Sequence, residues 1–191
     1  SGGVDSSVAA ALLARSGRRL VGFSMYLTHR HEGGPGERVR CCSLDDCRDA
    51  RRVAERFGFP HRILDMEADF RRLVLEPFRA DYERGRTPSP CVGCNTFVKF
   101  GALLETARAA GASTVATGHY AILESDPRTG RTLLRKSVDQ GKDQSYFLFD
   151  LSREQLGMLR LPLGASSKAE VRAEAEALGL ASASQPDSQE I

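Results

Sequence analysis

Short apolar runs and stretches of helical apolar spacing take turns along most of this chain, and no other feature restricts the fold as much. Leu20-Val21-Gly22-Phe23-Ser24-Met25-Tyr26-Leu27, His61 to Met66 and Thr114 to Thr117 read as strands. Between them apolar residues recur at helical spacing: Val8 and Leu12; Ala50, Val53, Ala54 and Phe57; Phe70, Leu73, Val74, Phe78 and Tyr82; Phe97, Phe100, Leu104 and Ala107. Gly17, Gly58 and Gly111 end three of these stretches, and Pro77 predicts a kink in the longest. Such alternation predicts an α/β fold, a doubly wound parallel sheet with helices on both faces. Ligands of such sheets bind beyond the carboxyl ends of the strands. The first residues, Met25, the Thr117-Gly118-His119 turn and a cysteine loop are expected to gather there.

The pattern changes after Tyr120. Ala121-Ile122-Leu123 and Thr132-Leu133-Leu134-Arg135 flank a turn-rich stretch and predict a hairpin. Ser167-Lys168-Ala169-Glu170 is a capping box that opens a last helix, and the polar stretch from Ala181 to Ile191 is expected to be loose. The segment from His29 to Arg40 reads as a loop. With 191 residues there is room for one domain with a sizeable core and the start of an appendage. No apolar run approaches the roughly 18 residues of a membrane span.

Ser1-Gly2-Gly3-Val4-Asp5-Ser6-Ser7 carries the first chemical signal. Paired glycines let backbone N–H groups approach an anion, and a following helix from Val8 aims its positive end at the same place. The serines add hydroxyl donors, and Asp5 suits a magnesium ion or a helix cap. No lysine follows as in a Walker loop, so the terminal phosphates must be handled differently. An ordinary loop-to-helix cap is the plainer reading of the same residues.

The second signal is Pro88-Ser89-Pro90-Cys91-Val92-Gly93-Cys94-Asn95. Cys-x-x-Cys at a helix start brings two sulfurs near backbone N–H groups and favours thiolate, which can attack, carry sulfur or bind metal. Structural zinc needs about four ligands, and Cys41, Cys42 and Cys47 do not follow a usual zinc spacing. Five cysteines, an odd number, argue against a disulfide framework. Cys47 shares an apolar face with Ala50 and Ala54, which predicts burial. Net charge is only +2, so nucleic-acid binding needs a local patch. Arg71, Arg72, Arg79, Arg84 and Arg86 supply either such a patch or a solvated helix face.

The opening heptapeptide resembles the pyrophosphate loop (PP-loop) of the ATP pyrophosphatases, enzymes that split ATP to AMP and pyrophosphate. Taken with Gly85-Arg86-Thr87-Pro88-Ser89-Pro90, Lys99-Phe100, Ala116-Thr117-Gly118-His119-Tyr120 and Lys142-Asp143-Gln144-Ser145-Tyr146-Phe147, the chain resembles the bacterial tRNA-specific 2-thiouridylases over nearly its whole length. The resemblance implies a Rossmann-like domain of the adenine nucleotide alpha hydrolase type over residues 1–140. Residues 141–191 would begin a tRNA-contacting region. It implies adenylation by ATP of the C2 oxygen of the wobble uridine (U34) in tRNAs for Lys, Glu and Gln, then displacement of AMP by sulfur from a donor protein such as a cysteine desulfurase or sulfur relay. Ser1, Gly2, Gly3, Val4, Asp5, Ser6 and Ser7 would hold ATP and Mg2+, with Met25 and Gly118 lining the nucleotide site. Cys94 would be the nucleophile; Ser89, Pro90 and Cys91 would touch the target base; His119, Lys142, Asp143 and Gln144 would contact tRNA. A cytoplasmic location follows from the same resemblance.

Two departures stand out. Many relatives carry Asp where this chain has Cys91, so Cys91 and Cys94 are also candidate ligands of a [4Fe-4S] cluster. Gln185-Pro186-Asp187-Ser188-Gln189-Glu190-Ile191 resembles the family segment that leads into a second catalytic cysteine, and no strand precedes Ser1. A catalytic-domain fragment is therefore expected. Two rival classes share some of these features. An amide-forming ATP pyrophosphatase has the loop but no use for Cys91 and Cys94. A non-enzymatic nucleotide- or metal-stabilised nucleic-acid-binding module would need no turnover at all.

Overall fold

A computed structural model describes residues 2–27 and 44–185. Ser1, Cys41, Cys42 and the segment after Gln185 lie outside the described residues, and so do the expectations attached to them. The chain divides into two compact units, Ser1–Ala68 with Arg172–Ile191, and Asp69–Val171.

In the first unit α1 (Val4–Arg15) leads to β1 (Gly22–Tyr26), and α2 (Leu44–Phe57) to β2 (His61–Asp65). The two strands pair in parallel from Gly22 opposite His61 to Tyr26 opposite Asp65, as a strand–helix–strand crossover requires. Helix α1 begins four residues earlier than its apolar spacing suggests. Gly3 is its N-cap with extended backbone, and the amide of Ser7 already donates to Gly3 O at 3.2 Å. Val4, Val8, Ala9 and Ala11 are buried along it. Helix α2 packs against α1 and β1. Its Cys47 is 1% exposed, with the thiol weakly donating to Met25 O at 4.0 Å, in line with the burial its spacing predicts.

The stretch after Leu180, expected to be loose, is held down as far as Gln185. Arg172 Nη1 donates to Ala183 O at 2.9 Å and to Gln185 O at 3.1 Å, and Gln185 Nε2 donates to Asp49 Oδ2 at 3.1 Å. A guanidinium that satisfies two carbonyls and the burial of Leu180 and Ser182 outweigh the polar composition.

Helix α3 (67–83), all but its first two residues in the second unit, and α4 (90–109) are each interrupted by a wider turn. In α3 the π-helical Arg71–Leu75 joins Glu67–Phe70 to Glu76–Glu83, and the amide of Glu76 donates to Arg71 O, five residues back. Pro77 lies just beyond; it lacks an N–H and crowds the preceding turn, which the widening relieves. In α4 the π-helical Cys94–Ala102 joins Pro90–Gly93 to Leu103–Ala109. Strand β3 (Val115–Ala116) then pairs in parallel with β6 (Leu159–Arg160), while β4 (Ala121–Ser125) and β5 (Thr132–Lys136) form the expected antiparallel hairpin. The hairpin turn is closed by Asp126, whose carboxylate accepts from Arg128 N at 2.9 Å and Thr129 Oγ1 at 2.7 Å. Phe100, Ala121, Leu148, Leu151 and Leu159 form the core of this unit.

Helix α5 (Arg153–Met158) carries a full capping box of Ser152 and Gln155, and α6 (Lys168–Ala177) opens on the box read in Ser167 and Glu170. Hydrogen bonds from the Ser167 amide and hydroxyl hold the Glu170 carboxyl below its usual range. The architecture is α/β with parallel pairs. Among the described residues the strands make three two-stranded ladders, β1 with β2, β3 with β6 and β4 with β5.

Candidate functional site

The candidate residues fall into two sets, one in each unit. In the first unit, Gly2 is buried against the first turn of α2. A Cβ there would strike Asp46 O and come within 2.7 Å of Asp49 Cβ, so only glycine fits. Gly3 then turns directly into α1, leaving bare backbone at the helix mouth. An α-helix cannot satisfy its own first-turn amides, and the dipole makes this end positive. Asp5 occupies the first turn and is not the cap, since Gly3 caps without a side chain. Ser6 Oγ donates to Gly3 O at 3.1 Å. The Ser7 hydroxyl is buried and finds no partner among the described residues. An orphaned hydroxyl beside a glycine-built helix mouth fits an oxyanion. Met25 is buried on β1.

In the second unit, α4 starts at Ser89, which caps with extended backbone and no side-chain bond, followed by Pro90. Cys91 stands in the first turn and is half-buried; Cys94 opens the π stretch and is 6% exposed. Both are reduced thiols. Only Cys91 therefore lies within the turn over which a helix N-terminus acts strongly. Asn95 Nδ2 donates to Cys91 O at 2.9 Å, while Asn95 Oδ1 and Thr96 Oγ1 are buried without partners among the described residues. Within the π stretch Phe100 O accepts from Gln155 Nε2 at 2.6 Å, so one side chain both caps α5 and satisfies a carbonyl of the widened helix. A cleft of about 470 Å³ runs past Leu73, Thr96, Phe97, Glu105 and Gln155, but neither cysteine lines it.

His119 follows Gly118 after β3. Its Nδ1 is 2.8 Å from Thr117 Oγ1 and its ring lies 5.9 Å from that of Phe100. Burial, and then the positive charge of Lys99, push its pKa down to about 3. The imidazole is neutral at physiological pH and cannot serve as a phosphate-binding cation.

Lys142 is exposed, but its two neighbours face inward. Asp143 accepts from Ser137 N at 2.8 Å and Ser145 Oγ at 2.7 Å. Gln144 exchanges two bonds with Tyr120: Tyr120 N donates to Gln144 Oε1 at 3.1 Å and Gln144 N donates to Tyr120 O at 2.8 Å. Both side chains thus tie their loop to the ends of the hairpin, at Ser137 just after β5 and Tyr120 just before β4. The arginine-rich surface is a solvated face. Arg72 pairs with Asp69 at 2.8 Å, Arg79 with Glu83 at 2.8 Å, and Arg84 and Arg86 with Asp81 at 3.8 and 2.9 Å.

Among the described residues no three of His, Cys, Asp and Glu come together as a metal site. No third such ligand joins Cys91 and Cys94 there, which leaves the cluster expectation without support. No described helix is long and apolar enough to cross a membrane.

The family model described as "tRNA methyl transferase HUP domain" matches residues 1–191. Among curated proteins, the tRNA-specific 2-thiouridylase MnmA of Geotalea uraniireducens is 52% identical over 194 residues, covering 100% of this chain and 52% of its own. That of Rhodospirillum rubrum is 53% identical over 193 residues, and that of Caulobacter vibrioides 51% over 193, each covering 100% of this chain and 50% of the relative. The chain spans about half the length of the curated relatives it matches.

Proposed function

This chain belongs to the tRNA-specific 2-thiouridylase family, and from that membership we propose that it uses ATP to replace the C2 oxygen of the wobble uridine of tRNA with sulfur. The observation that carries the nucleotide half is the fit of Gly2 against α2. It leaves the mouth of α1 as backbone alone, beside the orphaned Ser7 hydroxyl. The first-turn amides of α1 with Ser1, Ser6 and Ser7 would hold the pyrophosphate, Met25 and Gly118 would line the adenosine, and Asp5 would hold Mg2+. The ion's contribution would be to offset charge on the departing pyrophosphate.

In the proposed reaction the uridine C2 oxygen attacks the α-phosphorus of ATP and pyrophosphate leaves. The outer sulfur of a persulfide on Cys94 then attacks C2, and AMP departs with the former uridine oxygen, leaving the base joined to Cys94 through a disulfide. A second thiol attacks Cys94 Sγ, so that 2-thiouridine leaves and the two thiols end as a disulfide. The burial of Cys94 supports this role, because a shielded sulfur outcompetes water at an activated carbon. Ser89, Pro90 and Cys91 would meet the target base. His119, held neutral, would offer a hydrogen bond without placing a charge beside the leaving group. Lys142 would take a phosphate of the RNA, while Asp143 and Gln144 would act by fixing the loop that presents it. Residues 1–140 would serve ATP and residues 141–191 begin the tRNA-contacting part. The tRNAs would be those for Lys, Glu and Gln, and a cysteine desulfurase or relay protein would load the sulfur in the cytoplasm.

The test is Cys94→Ser with unmodified tRNA and ATP. Pyrophosphate release should persist while 2-thiouridine disappears. Retention of 2-thiouridine would overturn the role of Cys94, and pyrophosphate release indifferent to tRNA would overturn the reaction.

A further inference from the structure

The chemistry above leaves unused an exposed aromatic pair of the second unit. Tyr146 and Phe149 are 63% and 61% exposed, and their ring centroids lie 5.7 Å apart at 41°. Phe147 meets Tyr146 edge-on at 5.6 Å and orients it. Single exposed rings are ordinary on a protein surface; adjacent exposed rings on an anchored turn are not.

The anchoring is thorough. Leu148, in the same turn, is 0% exposed in the core; Gln144 clamps the turn's start to Tyr120; and Asp143 holds Ser145. The Ser145–Leu148 turn also packs against Pro90–Gly93, which carries Cys91, and against the π stretch that opens at Cys94. The rings are thus rigidly placed next to the thiol helix.

Charges nearby in sequence are of both signs. Lys136 and Lys142 are exposed, whereas Asp139 and Asp143 are half-buried and accept from backbone amides of Lys168 at 2.9 Å and Ser137 at 2.8 Å. Asp150 is the exposed acid nearby in sequence. Flat exposed rings suit unpaired nucleotides, whose bases stack on them.

We propose that Tyr146 and Phe149 form a stacking platform for an unpaired RNA base next to the one that reacts at Cys94. The proposal rests on the thiolation reading above. A base that reacts on its ring must leave its stack, and a platform that receives its neighbour offsets part of that cost.

The experiment uses unmodified tRNA with 2-aminopurine beside the wobble position. On the parent protein its fluorescence should show stacking on protein, a readout that needs no variant. Tyr146→Ala with Phe149→Ala should weaken tRNA binding about tenfold with an unchanged salt slope, because stacking releases no counterions. Tyr146→Phe with Phe149→Tyr should keep the parent affinity. If the parent thiolates tRNA while the double alanine variant binds as tightly and the 2-aminopurine signal is unmoved, the platform is overturned and thiolation stands. If the alanine pair spares tRNA but weakens binding of a persulfide-carrying donor protein, the surface belongs to that protein and the proposal fails. A parent that does not bind tRNA overturns both readings.

Discussion

The two helices that begin at chemically charged points, α1 and α4, are built in opposite ways. Neither cap residue, Gly3 or Ser89, uses its side chain. At α1 the shape comes from the lack of a side chain: Gly2 lies against backbone of α2, and the helix that follows is regular with small buried residues. At α4 the shape comes from side chains: Pro90 sets the start, Asn95 fixes the Cys91 carbonyl, and Gln155 satisfies the widened turn at Phe100. One half is made of backbone and fails if a side chain is added. The other is made of side-chain bonds and fails if one is removed. This division suits an oxyanion, which needs N–H groups, and a thiol, which needs shielding and aim.

Substitutions can break this contrast. The largest effect is expected at Cys94, where Ser should lower 2-thiouridine formation by about 1000-fold or more. Thermal melting should move little, since the hydroxyl is close in size. A comparable loss of stability would mean that Cys94 is structural. Next comes Gly2→Ala, whose Cβ meets fixed backbone and should destabilise by about 2 kcal/mol. ATP affinity should fall with it, measured by calorimetry; unchanged ATP binding would show that the loop is not made of backbone in the way described. On the side-chain half, Gln155→Ala removes one member of the α5 capping box and strands Phe100 O, an expected loss of about 1.5 kcal/mol in urea unfolding. A neutral result would mean water replaces the amide.

The last prediction concerns His119, whose effect emerges only as the pH is lowered. Its folded pKa of about 3 lies below the ordinary value of 6.5, so the unfolded chain binds more protons between those pH values. Stability present above about pH 6.5 should therefore be lost as the pH falls, with a slope of up to about 1.4 kcal/mol per pH unit from this group. The difference in slope between the parent and His119→Gln measures it, and equal slopes would place the imidazole in water.

Much of the frame is legible in the sequence. The strands at Phe23, Ile63 and Val115, the hairpin around Asp126 and the Ser167 capping box all follow from periodicity and turn chemistry, which are local. What local pattern missed depends on distant partners. Helix α1 starts at Val4 because α2 presses on Gly2, a contact that apolar spacing cannot reveal. The π stretch at Cys94 has no sequence mark comparable with Pro77. Asp143 and Gln144 stand as RNA contacts through the resemblance, and the backbone at Ser137 and Tyr120, outside their local pattern, also partners their side chains. Tyr146 is legible only as part of the Lys142-to-Phe147 resemblance, and Phe149 not at all. Their exposure appears when Leu148 takes the core position.

The most direct test of the central claim labels the uridine C2 oxygen of the tRNA with oxygen-18 and follows it through one turnover. If the C2 oxygen attacks the α-phosphorus, the AMP released must carry the label. Unlabelled AMP, with the oxygen-18 found in water, would show that ATP activates something other than the base and would contradict the account.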